Sequence, residues 1–291
     1  MVLFSFRQDP LSPSPLCSCD LESCGLSGSV WVSPVGSKPR NLLLLLHGLG
    51  DTAAPFAQLA RTMALPQTAA IALCAPIALP AGLEGHMWHE SFESDGQLIR
   101  ASAGERRRLS SLQQEARTSL QALLKLLERA GWPAHRVFLL GFAQGAAAAL
   151  DFALHCGCRL GGIISVCGLL LEEYLHEEEA VALLAQSAAA PRRETPLLVL
   201  ESVLTPQRQA LFELYQRALC GGRAVPPKST RLCKAIEIGG TGAMPSSPEE
   251  WQPVMAFFAE HLELTAPGLE SDPTLQRIIA VGKAGELVLG A

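Results

Sequence analysis

A mostly parallel β-sheet with helices on both faces, an α/β class, is what this sequence predicts, and three observations carry it. Short runs of unbroken apolar residues recur along the chain, as strands buried on both faces require. Segments with apolar residues at three- and four-residue steps lie between those runs, as helices packed on a sheet require. The resulting β-α-β alternation joins parallel strands by helical crossovers.

Strands are expected at Ser29–Val32, Leu42–Leu46, Ala70–Cys74, Val137–Leu140, Ile163–Val166, Leu197–Leu200 and Ala235–Ile238. The leucine run Leu42 to Leu46 is too short to span a bilayer and reads as a buried strand. One long helix is expected from Leu109 to Ala130. Its stripe is Leu109, Leu112, Ala116, Leu120, Leu123 and Leu127, and Gly131 with Pro133 stops it. A closing helix opens at Ser247-Pro248-Glu249-Glu250 and runs to about Leu262. Ser as the N-cap, Pro at the first helical position and Glu at the third make a capping box. Residues 1–24, rich in Ser, Pro and Cys, are expected to be a disordered tail. Residues 25–264 form one domain and 265–291 a second tail, in which Leu275 to Val281 is the segment suited to docking. Ala188 to Thr195 reads as a surface loop.

Composition narrows the function classes. Charged residues are 18% of the 291 and the net charge is −5, so there is no basic excess for nucleic acid. Aromatics at 5% give no stacking platform for single strands. No transmembrane segment or secretory signal is expected, and Val2 and the C-terminal VLGA do not fit lipidation motifs. The expected location is the cytoplasm. The nine cysteines are expected to be free thiols in a reduced compartment. Neither Cys17-Ser-Cys19 with Cys24 nor Cys156-Gly-Cys158 has paired C-x-x-C spacing, so no metal is expected, and no cofactor either.

Residues 137 to 145 read VFLLGFAQG. A strand runs into a Gly-x-x-x-Gly turn and then into a small-residue helix, the order of a nucleophile elbow. The elbow's middle residue is ordinarily Ser; here it is Ala143, and a methyl group cannot attack a carbonyl. Further motifs accompany it. His-Gly-Leu-Gly-Asp (His47 to Asp51) follows an early strand, Met87-Trp88-His89 lies in a connection, and Glu237 to Leu262 holds the last strand, a Gly-rich loop and the closing helix.

In this order and spacing these segments resemble the acyl-protein thioesterase / lysophospholipase (carboxylesterase) family of α/β-hydrolases, over nearly all of residues 25–264. The resemblance implies an α/β-hydrolase fold and an oxyanion hole made by the backbone N–H groups of Leu49 and Gln144. The family's Ser falls on Ala143. Its Asp, normally in His-Gly-x-x-Asp-Pro, falls on Thr205 of Glu201-Ser-Val-Leu-Thr-Pro206. Its His, normally after Gly-x-Gly, falls on Ala243. All three triad side chains are replaced.

Substitutes are scarce. A general base must be a His or a carboxylate within hydrogen-bond reach of the nucleophile, yet no histidine lies between His176 and His261. Ser165 has no evident base, and Glu201 as an acid would have nothing to orient. His47 is expected to brace the oxyanion turn, with Asp51 beside it. Arg106-Arg107-Arg108 is expected to face water, and Trp88, Phe142 and Trp251 to pack. His47, Gly48, Trp88 and Phe142 are the candidates for a ligand pocket, with Trp88 as a groove wall. The reading is a catalytically disabled relative that binds an acyl chain or a lipidated peptide. The rivals are a weakly active ester or thioester hydrolase with a rearranged site, and an interaction module without a ligand.

Overall fold

The computed structural model describes residues 13–34, 38–80, 82–102, 104–189, 195–219, 233–238 and 242–264. In chain order the strands are β1 (Val30–Val32), β2 (Asn41–Leu46), β3 (Thr68–Leu73), β4 (Ile77–Ala78), β5 (His86–Met87), β6 (Val137–Phe142), β7 (Gly162–Val166), β8 (Leu197–Glu201) and β9 (Cys233–Glu237). The main sheet has the order β1-β3-β2-β6-β7-β8-β9, and β4 pairs with β5 in a small hairpin the periodicity did not reveal. Only β1 runs antiparallel to its neighbour in the main sheet. All seven expected strands are therefore present, with ends shifted by one or two residues.

The leucine run shows why this sheet needs cover on both faces. Leu42, Leu44 and Leu46 enter one hydrophobic cluster, while Leu43 and Leu45 enter the other. Alternate side chains of a strand point to opposite faces, so an unbroken apolar strand requires two cores. Leu42 lies opposite Val137 and Leu46 opposite Gly141. This register brings the turn after β2 beside the turn after β6.

The helices are α1 (Ser18–Ser23), α2 (Ala53–Met63), α3 (Arg107–Ser111), α4 (Thr118–Arg129), α5 (Gln144–His155), α6 (Glu177–Ala189), α7 (Pro206–Leu219) and α8 (Pro248–His261). The stripe from Leu109 to Leu127 is buried as expected. The single helix expected there contains a wider π turn, Leu112–Arg117, between α3 and α4. Arg117 at its end makes two 2.8 Å hydrogen bonds to the buried Asp151 carboxylate of α5. The capping box of α8 is present: Glu250 N–H donates to Ser247 Oγ, and Ser247 N–H donates to the Glu250 carboxylate. No helix among the described residues is long and apolar enough to cross a membrane.

Two expectations are corrected. Residues 13–24 are not an irregular tail: α1 forms, and Leu16 and Leu21 join the core. The Ser14 carbonyl also accepts from the Trp132 indole. The isolated leucines gave too short a pattern to reveal this docking. The cysteines are not all free thiols, because Cys17 and Cys19 are bridged by a disulfide. Their sulfurs lie within 4.8 Å of an Asp20 oxygen, but they are bonded to each other. Residues 1–12, most of the loop after Ala189, and 265–291 with Leu275 to Val281 lie outside the described residues.

Candidate functional site

The corner after β6 is built by absent side chains. Ala143 has φ +48° and ψ −111° and caps α5. An L-residue rarely adopts a positive φ, at a cost of about 1–3 kcal/mol when neighbours impose it. A Cβ on Gly145 would lie 2.4 Å from the carbonyl oxygens of both Leu46 and His47. One on Gly141 would lie 2.5 Å from Ala146 Cα, and one on Gly168 would lie 2.3 Å from the Ala143 oxygen. Three backbone segments thus meet at distances only glycine permits. Ala143 N–H donates to the Val166 carbonyl at 2.9 Å, and the Ala143 carbonyl accepts from Ala146 and Ala147.

The turn after β2 rests on this corner. Its buried His47 accepts the Ala75 N–H at Nε2, 3.0 Å, which leaves Nδ1–H to donate to the Gly48 carbonyl, 2.7 Å. Burial pushes the His47 imidazole below its ordinary pKa. Asp51 accepts the Thr52 N–H at 2.7 Å. His47 and Asp51 are braces of the turn. Leu49, Ala143 and Gln144 line one cavity of about 320 Å³. Among the described residues neither the Leu49 nor the Gln144 N–H has an intramolecular acceptor. Free amides are expected at the first position of a helix such as α5.

The four pocket candidates stand elsewhere. His47, Gly48, Trp88 and Phe142 are not among the residues that line the cavity. They form the layer behind it. The Trp88 indole donates to the His47 carbonyl at 2.9 Å, which draws the ring fully inside. A Cβ on Gly48 would meet the Phe142 ring at 3.0 Å. The Gln144 side chain spans both layers: its Oε1 accepts the Trp88 N–H, 2.7 Å, and its Nε2 donates to Ser91 Oγ, 2.7 Å.

The other two positions on which the resemblance places triad residues follow β8 and β9. Thr205 caps α7, its hydroxyl accepting from the Arg208 N–H at 3.3 Å and its carbonyl from Gln209 at 2.8 Å. Thr205 does not line the cavity; Arg208, one turn later, does. Ala243 approaches through its carbonyl, which accepts the Cys167 thiol at 3.4 Å, and Cys167 lines the cavity. Ser165 is fully buried and donates its hydroxyl to the Gly168 carbonyl. Glu201, also buried, is engaged by Arg208 Nη2 at 2.5 Å.

Cavity residues that the sequence reading did not assign to the site include Cys167, Arg108 and Arg208, together with His89 of the Met87-Trp88-His89 connection. His89 is buried, with Nδ1 2.7 Å from the Glu90 carbonyl, and burial holds its pKa at about 4. Cys167, at φ +52°, has its thiol pKa raised chiefly by burial. Arg108 does not face water with Arg106 and Arg107. It turns inward, its Nε 3.2 Å from the buried Glu173 carboxylate. The signal was its place four residues before Leu112 on the apolar stripe. Arg208 likewise precedes Leu211 and Tyr215 on the buried face of α7.

The comparisons agree with this fold. The family model described as Phospholipase/Carboxylesterase matches residues 28–186. The chain is 33% identical over 141 residues to an uncharacterised hydrolase of Schizosaccharomyces pombe, 46% of this chain and 55% of that protein. It is 29% identical over 147 residues to acyl-protein thioesterase 1 of Neurospora crassa, 47% of this chain and 58% of that one. The chain thus spans about half the length of the curated relatives it matches. Among solved structures, esterase PE8 aligns with TM-score 0.57 at 24% identity, over 81% of this chain and 99% of that one. Zea mays acyl-protein thioesterase 2 aligns with TM-score 0.55 at 20% identity, over the same shares. The fold is that of the α/β-hydrolases.

Proposed function

We propose, from the premise that this chain belongs to the phospholipase/carboxylesterase family, that it is a catalytically silent member which holds an acyl chain or a lipidated peptide without cleaving it. The observation that carries the reading is Ala143, a methyl group at the strained corner where the fold presents a nucleophile. The cavity beside it supports a binding role, since leucines form much of its wall and it is also lined by Leu49 and Gln144, whose N–H groups have no acceptor among the described residues. The proposed setting is the cytoplasm.

The rearranged-hydrolase reading requires another nucleophile. Cys167 and Ser91 are the nucleophilic side chains lining the cavity. The Cys167 thiol is kept protonated by burial and donates to Ala243. Ser91 Oγ lies 3.5 Å from His89 Nδ1, but that nitrogen is already engaged by the Glu90 carbonyl and the imidazole is a poor base. Neither is an activated nucleophile.

Loss of a triad costs about 10⁶-fold in kcat in the serine-protease case, with roughly 10³–10⁴ over water retained from the hole and binding. The native chain is expected to show no burst with activated esters and no fluorophosphonate labelling. Ala143→Ser alone should restore little, lacking a base. Ala143→Ser with Thr205→Asp and Ala243→His should recover esterase turnover. Stoichiometric labelling of the native chain would overturn the silent reading. A stable triple variant without turnover would remove the argument for a preserved acyl site.

A further inference from the structure

The cavity beside Ala143 carries charges that an ester-binding groove does not need. Arg108 and Arg208 both line it, and Glu172, an exposed side chain, is the single carboxylate among the lining residues. Each arginine is anchored from behind. Arg108 is held by Glu173, which is 1% exposed, and Arg208 by Glu201, also 1% exposed. Glu201 hydrogen-bonds Arg208 and fixes its guanidinium, whereas Glu173 stands in ion-pair contact with Arg108 Nε with no hydrogen bond between them. These contacts do not exhaust the Arg208 donors: among the described residues Arg208 gives only Nη2 to Glu201, and Nη1 is the nitrogen left for a ligand, since Nε is closed off from solvent. Five N–H donors sit on one planar guanidinium. The Leu49 and Gln144 amides add two more donors without acceptors among the described residues.

These donors surround a space whose remaining wall is largely aliphatic, with Leu98, Leu169, Leu170 and Leu211. His89 adds no charge at neutral pH, since burial keeps its imidazole neutral. At about 320 Å³ the cavity is at the small end of the usual range for small-molecule sites, roughly 300–1,000 Å³. A ligand that satisfies both halves has an anionic, planar head with two acceptor oxygens and a short to medium apolar chain.

We propose that the cavity selects a free medium-chain carboxylate over the corresponding ester, with Arg208 as the residue that reads the charge. The inference rests on the acyl-binding reading above and specifies its ligand. A carboxylate places one oxygen toward the Leu49 and Gln144 amides and leaves the other for a guanidinium. A charge-assisted hydrogen bond of this kind is roughly twice as strong as a neutral one. An ester offers the same carbonyl to the amides but brings no charge to Arg208. With no hydroxyl at position 143, nothing converts one ligand into the other.

Titration calorimetry with sodium octanoate and with methyl octanoate tests this on the full chain. Octanoate is expected to bind about tenfold tighter than its methyl ester or better. Arg208→Met should abolish most of that preference and leave ester affinity within about twofold. Removing Arg208 alone leaves Glu201 buried without its partner, so Arg208→Met with Glu201→Gln serves as the second variant, its folding checked by thermal melting. Equal affinity for acid and ester in the native chain would overturn the carboxylate inference and leave the acyl-binding reading standing. Binding of neither would remove both. A preference that survives in the folded double variant would overturn the assignment to Arg208.

Discussion

The corner after β6 and the loops after β8 and β9 open at the same end of the sheet, but they are fixed by different means. The corner is held by backbone packed on backbone: Gly141, Gly145 and Gly168 each sit where a Cβ would come within 2.5 Å of another segment's atoms. The loops are held by side chains and caps: Thr205 on the first turn of α7, Ser247 and Glu250 on α8, and Cys167 on the Ala243 carbonyl. A site that uses backbone N–H groups depends on the first kind of support. A site that uses a Ser, an Asp and a His depends on which side chains stand at three points, and the second kind of support does not specify them. In the proposed reading, backbone donors and triad side chains therefore have separate fates in one molecule.

Three measurements break or sharpen this contrast, taken from the largest expected effect to the smallest. Gly145→Ala strikes the corner, with its methyl against two carbonyl oxygens. The expected loss exceeds about 4 kcal/mol, beyond the usual range for overpacking, and should appear as loss of soluble folded protein. A variant that melts within a few degrees of the native chain would show that the corner yields, and the contrast would fail.

A pH series comes next. His89, beside the Gln144 side chain, has a folded pKa of about 4 against an ordinary value of 6.5. The unfolded chain therefore binds the extra proton across that window, and stability falls as pH drops through it. Between about pH 7 and pH 5 this one group should cost roughly 2 kcal/mol. Urea midpoints of the native chain and His89→Gln at the two pH values isolate it. An equal pH loss in both proteins would show that His89 is not the source.

The smallest effect belongs to the loops. Thr205→Ala removes the cap on α7 and should cost about 1 kcal/mol, while Thr205→Asp, also a good cap, should stay within about 0.5 kcal/mol of the native chain. Urea denaturation reads both. If Asp costs more than Ala, position 205 is not supported as a cap, and the loop after β8 is more tightly specified than the contrast allows.

Much of this was legible in sequence because it follows local periodicity. The β2 leucines, the Leu109 to Leu127 stripe and the Ser247 capping box each announce an element within a few residues. The elbow was legible too, since its spacing of glycines between strand and helix is a local signature. The cavity was not. Arg106, Arg107 and Arg108 look alike in a charge run, and only the buried Glu173, far along the chain, turns the third one inward. Arg208 is recruited in the same way by Glu201. Trp88, read as a packing residue, was also the candidate for a groove wall. The indole's bond to the His47 carbonyl instead puts Trp88 in the layer behind.

The strained backbone at Ala143 has a consequence for how this molecule can change. Its positive φ is imposed by neighbours, so only glycine at 143 would relieve the strain, and any other side chain placed there inherits the same presentation. The side chain at this position can be exchanged by altering one codon, whereas the shape around it is fixed by several glycines at once. Position 143 is thus a reversible socket in an irreversible frame, and Ser, Cys or a non-natural electrophile installed there would be displayed toward the same cavity without redesign of the scaffold.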